Sequence, residues 1–239
     1  ETSTGVASDA KAICSVAAKA GCLTIVDCVT SLAGIEVALD DWGADAAYSG
    51  TQKCLSCAPG LSPFSMSDRA IEAIKARNHP VASWFLDMNL VMGYWGENTT
   101  RAYHHTAPVN SIFALAESLR LVKQEGLERS WERHRKISQT LVAGLNQLDL
   151  EMMVEDASIR LPQLSVVKVP EGIDEAMVRE HLPTPSASTF IFCCGIPVRR
   201  SKCRQAAVVL RRCCCCCCCC CAAALLLLLL LPLRCGGRC

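Results

Sequence analysis

The chain has 239 residues, 51% of them hydrophobic, and its 24 basic and 23 acidic side chains leave a formal net charge of +1. That length admits one substantial core, and the balanced charge removes the electrostatic case for a nucleic-acid partner. Nineteen cysteines spread evenly would suit a disulfide scaffold, but nine are consecutive, Cys213 to Cys221, and only Cys14, Cys22, Cys28, Cys54 and Cys57 precede residue 190.

From the amino end, SDAKAICSVAAKAG offers Ser8 or Asp9 as an N-cap, Ile13, Val16 and Ala17 at helical spacing, and Gly21 as a stop. CLTIVDCV follows, a short β-branched run of the kind found in strands buried on both faces. DAAYSG is a second short strand, ending just before Lys53. Helix, buried strand, loop, buried strand is the rhythm of an α/β sheet. Ligands of such sheets gather at the carboxyl ends of strands. Asp27 closes one predicted strand and Lys53 follows the other, so both charges fall at one rim.

SDRAIEAIKARN predicts a helix capped near Ser67, with Pro80 beyond its end. Residues 84–103 are aromatic-rich and carry no assignable period. Ile112, Leu115, Leu119 and Val122 predict a helix from Asn110 to Lys123 that Gly126 ends. A second helix runs from about Glu128 to Leu148 on Trp131, Ile137, Leu141, Leu145 and Leu148, a stripe read as ordinary core or interface packing. LPQLSVVKVPEGIDEAMVREHL then reads strand, turn, helix, the opening of a smaller α/β domain.

Past Leu182 this grammar fails. PTPSASTFIFCCGIPVRRSKCRQAAVVLRR shows no sustained period, and nine Cys, three Ala and seven Leu follow. The apolar stretch from Cys213 to Leu233 is long enough to span a bilayer, so a transmembrane helix is the formal reading. The codons TGC, GCT and CTG, however, are the three frames of one repeating trinucleotide. The tail is therefore read as a repeat tract translated through frame slips, with a membrane anchor as the lesser alternative. The strand LSVVKV is then left without its partners, a hydrophobic edge that invites aggregation.

The chemistry centres on SGTQK, residues 49–53, where a lysine follows small residues and precedes a turn at Pro59 and Gly60. A lysine amine forms a Schiff base with an aldehyde cofactor, and a carboxylate against the ring nitrogen of that cofactor keeps it protonated. Lys53 suits the first role and Asp27 the second. Ser49, Gly50 and Thr51 are small enough for close approach, and Gln52 can donate to a ring substituent. Cys54 and Cys57 form a C-x-x-C, but no second pair lies at zinc-ribbon distance and no redox-fold context surrounds it. Both are assigned to packing beside the lysine, and no metal is assigned. His104 and His105 are neighbours that point to opposite sides of an extended segment, which suits structural hydrogen bonding rather than one shared metal.

The segments ETSTGV, VDCVTSLAG, WGADAAYSGTQKCLSCAPGL, YHHTAPV and RLPQLSVVKVPEGID, in that order, resemble the class V aminotransferases, nearest to their alanine–glyoxylate and serine–pyruvate branch, over residues 1–182. The resemblance implies an α/β, partial fold-type-I transferase dependent on pyridoxal 5′-phosphate. Residues 1–107 would be the later part of the large, cofactor-binding domain. Residues 108–182 would be connecting helices and the start of a truncated small domain, and 183–239 an aberrant low-complexity tail. Carried over, Lys53 is the Schiff-base lysine and Asp27 the partner of the pyridine nitrogen. Thr2, Val29 and Gln52 surround the cofactor, and Tyr103 and Thr106 reach the phosphate of the neighbouring subunit's cofactor, which implies a homodimer. The implied reaction moves an amino group between alanine or serine and glyoxylate or pyruvate. Sister activities on 3-hydroxykynurenine or 2-aminoethylphosphonate, and a truncated non-catalytic fragment, are the alternatives.

Relatives of that family carry a glycine-containing phosphate loop and a stacking aromatic upstream of ETSTG, so this sequence, which starts at Glu1, reads as a piece of something longer. They also carry a late carboxylate-binding arginine, and no arginine after Leu182 sits in a matching motif. The five dispersed cysteines suit an intracellular protein, while the final GGRC carries no peroxisomal tripeptide and nothing separates peroxisomal, mitochondrial and cytosolic addresses.

Overall fold

The structure, a computed structural model, describes residues 1–94 and 103–173 and the strand residues 190–194 and 207–211. Helix α1 spans Ala10–Lys19. Asp9 caps it, its carboxylate accepting the Ala12 N–H at 2.9 Å, and the chain leaves through Gly21 at φ 73°. Ile13 and Val16, expected on the packed face, are instead exposed, and Cys14 is the buried residue. The helix packs on α2, Leu39–Trp42, through a narrow face, which leaves the rest of its apolar stripe uncovered among the described residues.

Strands β1 (Ile25–Asp27), β2 (Ala46–Tyr48) and β3 (Phe64–Met66) form a sheet in the order β1-β2-β3. β1 runs parallel to β2, pairing Ile25 with Ala46, Val26 with Ala47 and Asp27 with Tyr48, and β3 is antiparallel to β2. The expectation that CLTIVDCV is buried on both faces is corrected here. Ile25 is 38% exposed and Asp27 is exposed as well, because among the described residues β1 is an edge strand and the central strand β2 takes the buried place. Helix α3, Asp68–Lys75, starts where Ser67 accepts the Ala70 N–H at 3.2 Å. Buried Asp45 ties these elements together. It accepts the Thr24 N–H at 2.8 Å and the Thr24 and Ser67 hydroxyls at 3.2 and 3.3 Å, and pairs with Arg69 at 3.6 Å.

The stretch without a period folds as short turns: a 3₁₀ helix at Trp84–Leu86, α4 at Met88–Val91 and a second 3₁₀ helix at Met92–Tyr94. Helices α5 (Val109–Glu125) and α6 (Leu127–Asn146) meet at Gly126, whose φ of 86° breaks the helical path. Ile112, Leu119 and Leu148 of their stripes are exposed in the single chain, which leaves the interface half of that reading open to them. The buried residues are serines. Ser118 donates its hydroxyl to the Leu55 carbonyl, and Ser130 to the Ala33 carbonyl at 2.8 Å. Both helices therefore dock on the loops after β2 and β1 through hydrogen bonds to buried carbonyls that would otherwise go unpaired.

Beyond a 3₁₀ turn at Ala157–Ile159 lies β4, Leu164–Lys168, whose Leu164 and Val166 build a core with Leu161. Gly5 folds against it, its carbonyl accepting the Leu161 N–H at 2.8 Å. The expectation that LSVVKV lacks partners is corrected. β4 pairs antiparallel with β6 (Ala207–Arg211), and β6 with β5 (Phe190–Cys194), in the order β4-β6-β5. AVVLR is β-branched and apolar enough to continue a buried sheet, although no period announces it. The helix expected after Asp174 and the Cys, Ala and Leu runs lie outside the described residues. Among the described residues no helix is long and apolar enough to cross a membrane.

Candidate active site

Asp27 ends β1 beside Tyr48, the last residue of β2, so the sheet register sets the two side chains next to each other. The Tyr48 hydroxyl donates to Asp27 Oδ2 at 2.8 Å, and the Val29 N–H donates to Oδ1 at 2.8 Å. The Tyr48 phenol is pushed far above its usual range, first by burial and then by this bond to the carboxylate. Burial, with Asp27 adding to it, likewise raises the Cys28 thiol to about 11, which makes it inert. Asp27 itself is exposed and lines, with Thr2, a cavity of about 580 Å³.

The lysine sits in a closed turn. The Ser49 hydroxyl donates to the Cys28 carbonyl at 3.0 Å, and the Thr51 hydroxyl to the Ala58 carbonyl at 2.6 Å. The Cys57 N–H donates to the Thr51 carbonyl at 3.0 Å and the Ser56 N–H to the Lys53 carbonyl at 2.8 Å, with Ser56 held at φ 55°. Thr51 and Gln52 are 0% and 2% exposed, while Lys53 next to them reaches partial exposure. A Cβ on Gly50 would stand 2.7 Å from Gln52 Oε1, so the Gln52 amide packs directly over the glycine. Lys53 lines a second cavity, of about 660 Å³, with Arg133, His134 and Gln163. Burial holds His134 below the usual imidazole range, and its Nδ1–H donates to the Ser130 carbonyl at 2.7 Å. Both amide atoms of Gln163 are buried without a hydrogen-bond partner among the described residues.

The structure does not bring Asp27 and Lys53 into one cavity. Cys54, beside Lys53, donates its thiol to the Thr30 carbonyl at 3.4 Å, and Thr30 lines the cavity of Asp27. A Cβ on Gly34 would stand 2.7 Å from Cys54 Sγ, so the missing side chain of Gly34 leaves room for this contact. Val29, Gln52, Tyr103 and Thr106 line neither. Tyr103 is 77% exposed and shares a 2.5 Å hydrogen bond with Thr106 Oγ1. The expectation that His104 and His105 point apart is corrected. The chain bends there, and their Nδ1 atoms lie 2.8 Å apart, with the Tyr94 hydroxyl accepting both backbone N–H groups at 2.7 Å. Among the described residues Cys54 and Cys57 form no disulfide, and no group of three metal-ligating side chains gathers.

Sequence reasoning missed Tyr48, Ser118 and Gln163. Tyr48 had a usable signal, since pairing the two predicted strands end to end sets it against Asp27. The serines carry none, because a buried serine on a helix looks like an exposed one.

The chain matches the family described as "Aminotransferase class-V" over residues 1–184. It is 43% identical over 171 residues to alanine–glyoxylate aminotransferase of Oryctolagus cuniculus, covering 71% of this chain and 44% of that protein. It is 37% identical over 200 residues to (S)-ureidoglycine–glyoxylate transaminase of Bacillus subtilis, covering 76% and 47%. The crystal structure of alanine–glyoxylate aminotransferase from Nostoc sp. superposes with a TM-score of 0.76 at 41% identity, covering 87% of this chain and 53% of that one. The chain thus spans less than half the length of the curated relatives it matches.

Proposed function

The chain belongs to the class-V aminotransferase family, and from that premise we propose that it takes part in transfer of an amino group from a small amino acid, alanine or serine, to glyoxylate or pyruvate. The observation that carries the proposal is the register of β1 and β2, which sets the Asp27 carboxylate beside the strand end that leads into the Lys53 turn. The donor set present fits pyridoxal 5′-phosphate: a partly exposed amine at Lys53 and, at Asp27, a carboxylate with lone pairs to spare. When bound, that group supplies an aldehyde for the amine and a ring that accepts electrons.

The Lys53 amine would hold the aldehyde and, when free, would carry the substrate's α-proton. Asp27 would accept the ring N–H, and Thr2, Val29 and Gln52 are the residues that the family pattern sets around the ring. Tyr103 and Thr106, exposed and joined to each other, face a partner subunit's phosphate in a homodimer. A ureido donor is a second reading, favoured by the unpaired Gln163 amide in the Lys53 cavity, since an amide matches a ureide with a donor and an acceptor.

The test is covalent. The full chain is incubated with pyridoxal 5′-phosphate, reduced with borohydride and digested. The label is expected on Lys53 and lost in Lys53→Ala; labelling spread over surface lysines, unchanged by that substitution, would overturn the proposal.

A further inference from the structure

We propose that Tyr48 is a positioning residue, whose hydroxyl holds the Asp27 carboxylate in the orientation that meets the cofactor's ring nitrogen; this rests on the functional reading above. Tyr48 is the register partner of Asp27, so the contact follows from the sheet rather than from a loose loop. Its ring is buried, 7% exposed, and its hydroxyl reaches Oδ2 at 2.8 Å. The Val29 N–H fixes the other oxygen at 2.8 Å. A carboxylate on an exposed strand edge otherwise turns about its χ angles, and two donors on opposite oxygens remove that freedom. The lone pairs that remain are presented to the cavity that Asp27 shares with Thr2. Tyr48 lines a different space, on the β3 side, and so acts through Asp27 instead of touching the cofactor.

Two measurements on the full chain test this. Without cofactor, phenol ionisation is followed by ultraviolet absorbance. The chain has three tyrosines, Tyr48, Tyr94 and Tyr103. One should ionise late, vanish from the titration in Tyr48→Phe and move down toward the other two in Asp27→Asn. With cofactor, Tyr48→Phe should weaken binding by roughly tenfold, the worth of one hydrogen bond to a charged group. Asp27→Asn should weaken it more, and adding Tyr48→Phe to Asp27→Asn should cost nothing further.

Because burial alone keeps the phenol late, the reading is the difference: a phenol that ionises no earlier in Asp27→Asn than in the unsubstituted chain overturns the contact. A tenfold loss that persists in the Asp27→Asn background overturns positioning and leaves only packing. Should the unsubstituted chain fail to capture cofactor at Lys53, the functional reading falls and takes the role toward the cofactor with it. Capture with an unmoved phenol sinks the Tyr48 role alone.

Discussion

Two glycines with similar backbones and different surroundings separate conformational strain from steric conflict. Gly5 and Gly21 both sit in the left-handed region, at φ 81° and 73°. A Cβ on Gly21 would meet nothing within 4 Å, so Gly21→Ala costs only the left-handed penalty, about 1 kcal/mol. A Cβ on Gly5 would stand 3.0 Å from the Leu164 carbonyl oxygen and 3.5 Å from Val166 Cγ2, both on the buried strand β4. Backbone oxygen cannot swing aside as a side chain can. The amino-terminal loop would have to retreat by some tenths of an ångström and stretch the 2.8 Å bond from the Leu161 N–H to the Gly5 carbonyl. Overpacking of this kind costs about 2 kcal/mol beyond the strain, so Gly5→Ala is expected to lose about 3 kcal/mol in all. Urea unfolding of both variants checks it, read as the midpoint shift at unchanged slope. Equal losses in the two would show that the ETSTG loop does not pack on β4 as described.

His134 gives a pH prediction. Its native affinity for protons is depressed by burial, so the unfolded chain takes up the proton first as the pH falls. Its contribution to stability is complete above about pH 6.5 and is lost as the pH drops below that toward the lower native value. His134→Phe, which cannot titrate, should therefore show a shallower fall of the urea midpoint on acidification; a steeper one contradicts the assignment. Asp45→Asn keeps one acceptor but turns the other oxygen into a donor facing donors, and should cost about 3 kcal/mol by thermal or urea unfolding. Ser118→Ala and Ser130→Ala each strand a buried carbonyl, and a loss of about 1–2 kcal/mol apiece is expected in the same assay. A neutral result at either would mean that the helices are held by their apolar stripes after all.

What could be read in the sequence was whatever local chemistry decides. Asp9 and Ser67 cap the helices they were expected to cap, and Gly126 breaks α5 from α6, because capping and left-handed turns depend on a few adjacent residues. Asp27 does end β1, and Lys53 does follow β2. Burial was read less well. The same β-branched run suits a central strand or an edge strand, and only the pairing decides that Ile25 is exposed while Ala47 is buried. The histidine pair was misjudged for a related reason: alternation holds in extended chain, and a bend at His105 cancels it. β6 was missed because five residues without a flanking turn signal carry no period of their own, yet they match β4 residue for residue.

The two charges of the site are held by different means, and this makes them separable. Asp27 takes its place from strand pairing, so what disturbs the β1-β2 register, or the Asp45 hub at the start of both strands, moves the carboxylate. Lys53 takes its place from a turn closed by Thr51, Ser56 and Cys57 and clamped from outside by Ser118 of α5 on the Leu55 carbonyl. A substitution in α5, far along the chain, should therefore loosen the amine and leave the Tyr48–Asp27 contact intact. Ser118→Ala should slow borohydride-trapped labelling of Lys53 while the late phenol of Tyr48 ionises as before. If both change together, the amine and the carboxylate belong to one cooperative unit, and the two means of holding them have no separate mechanical meaning.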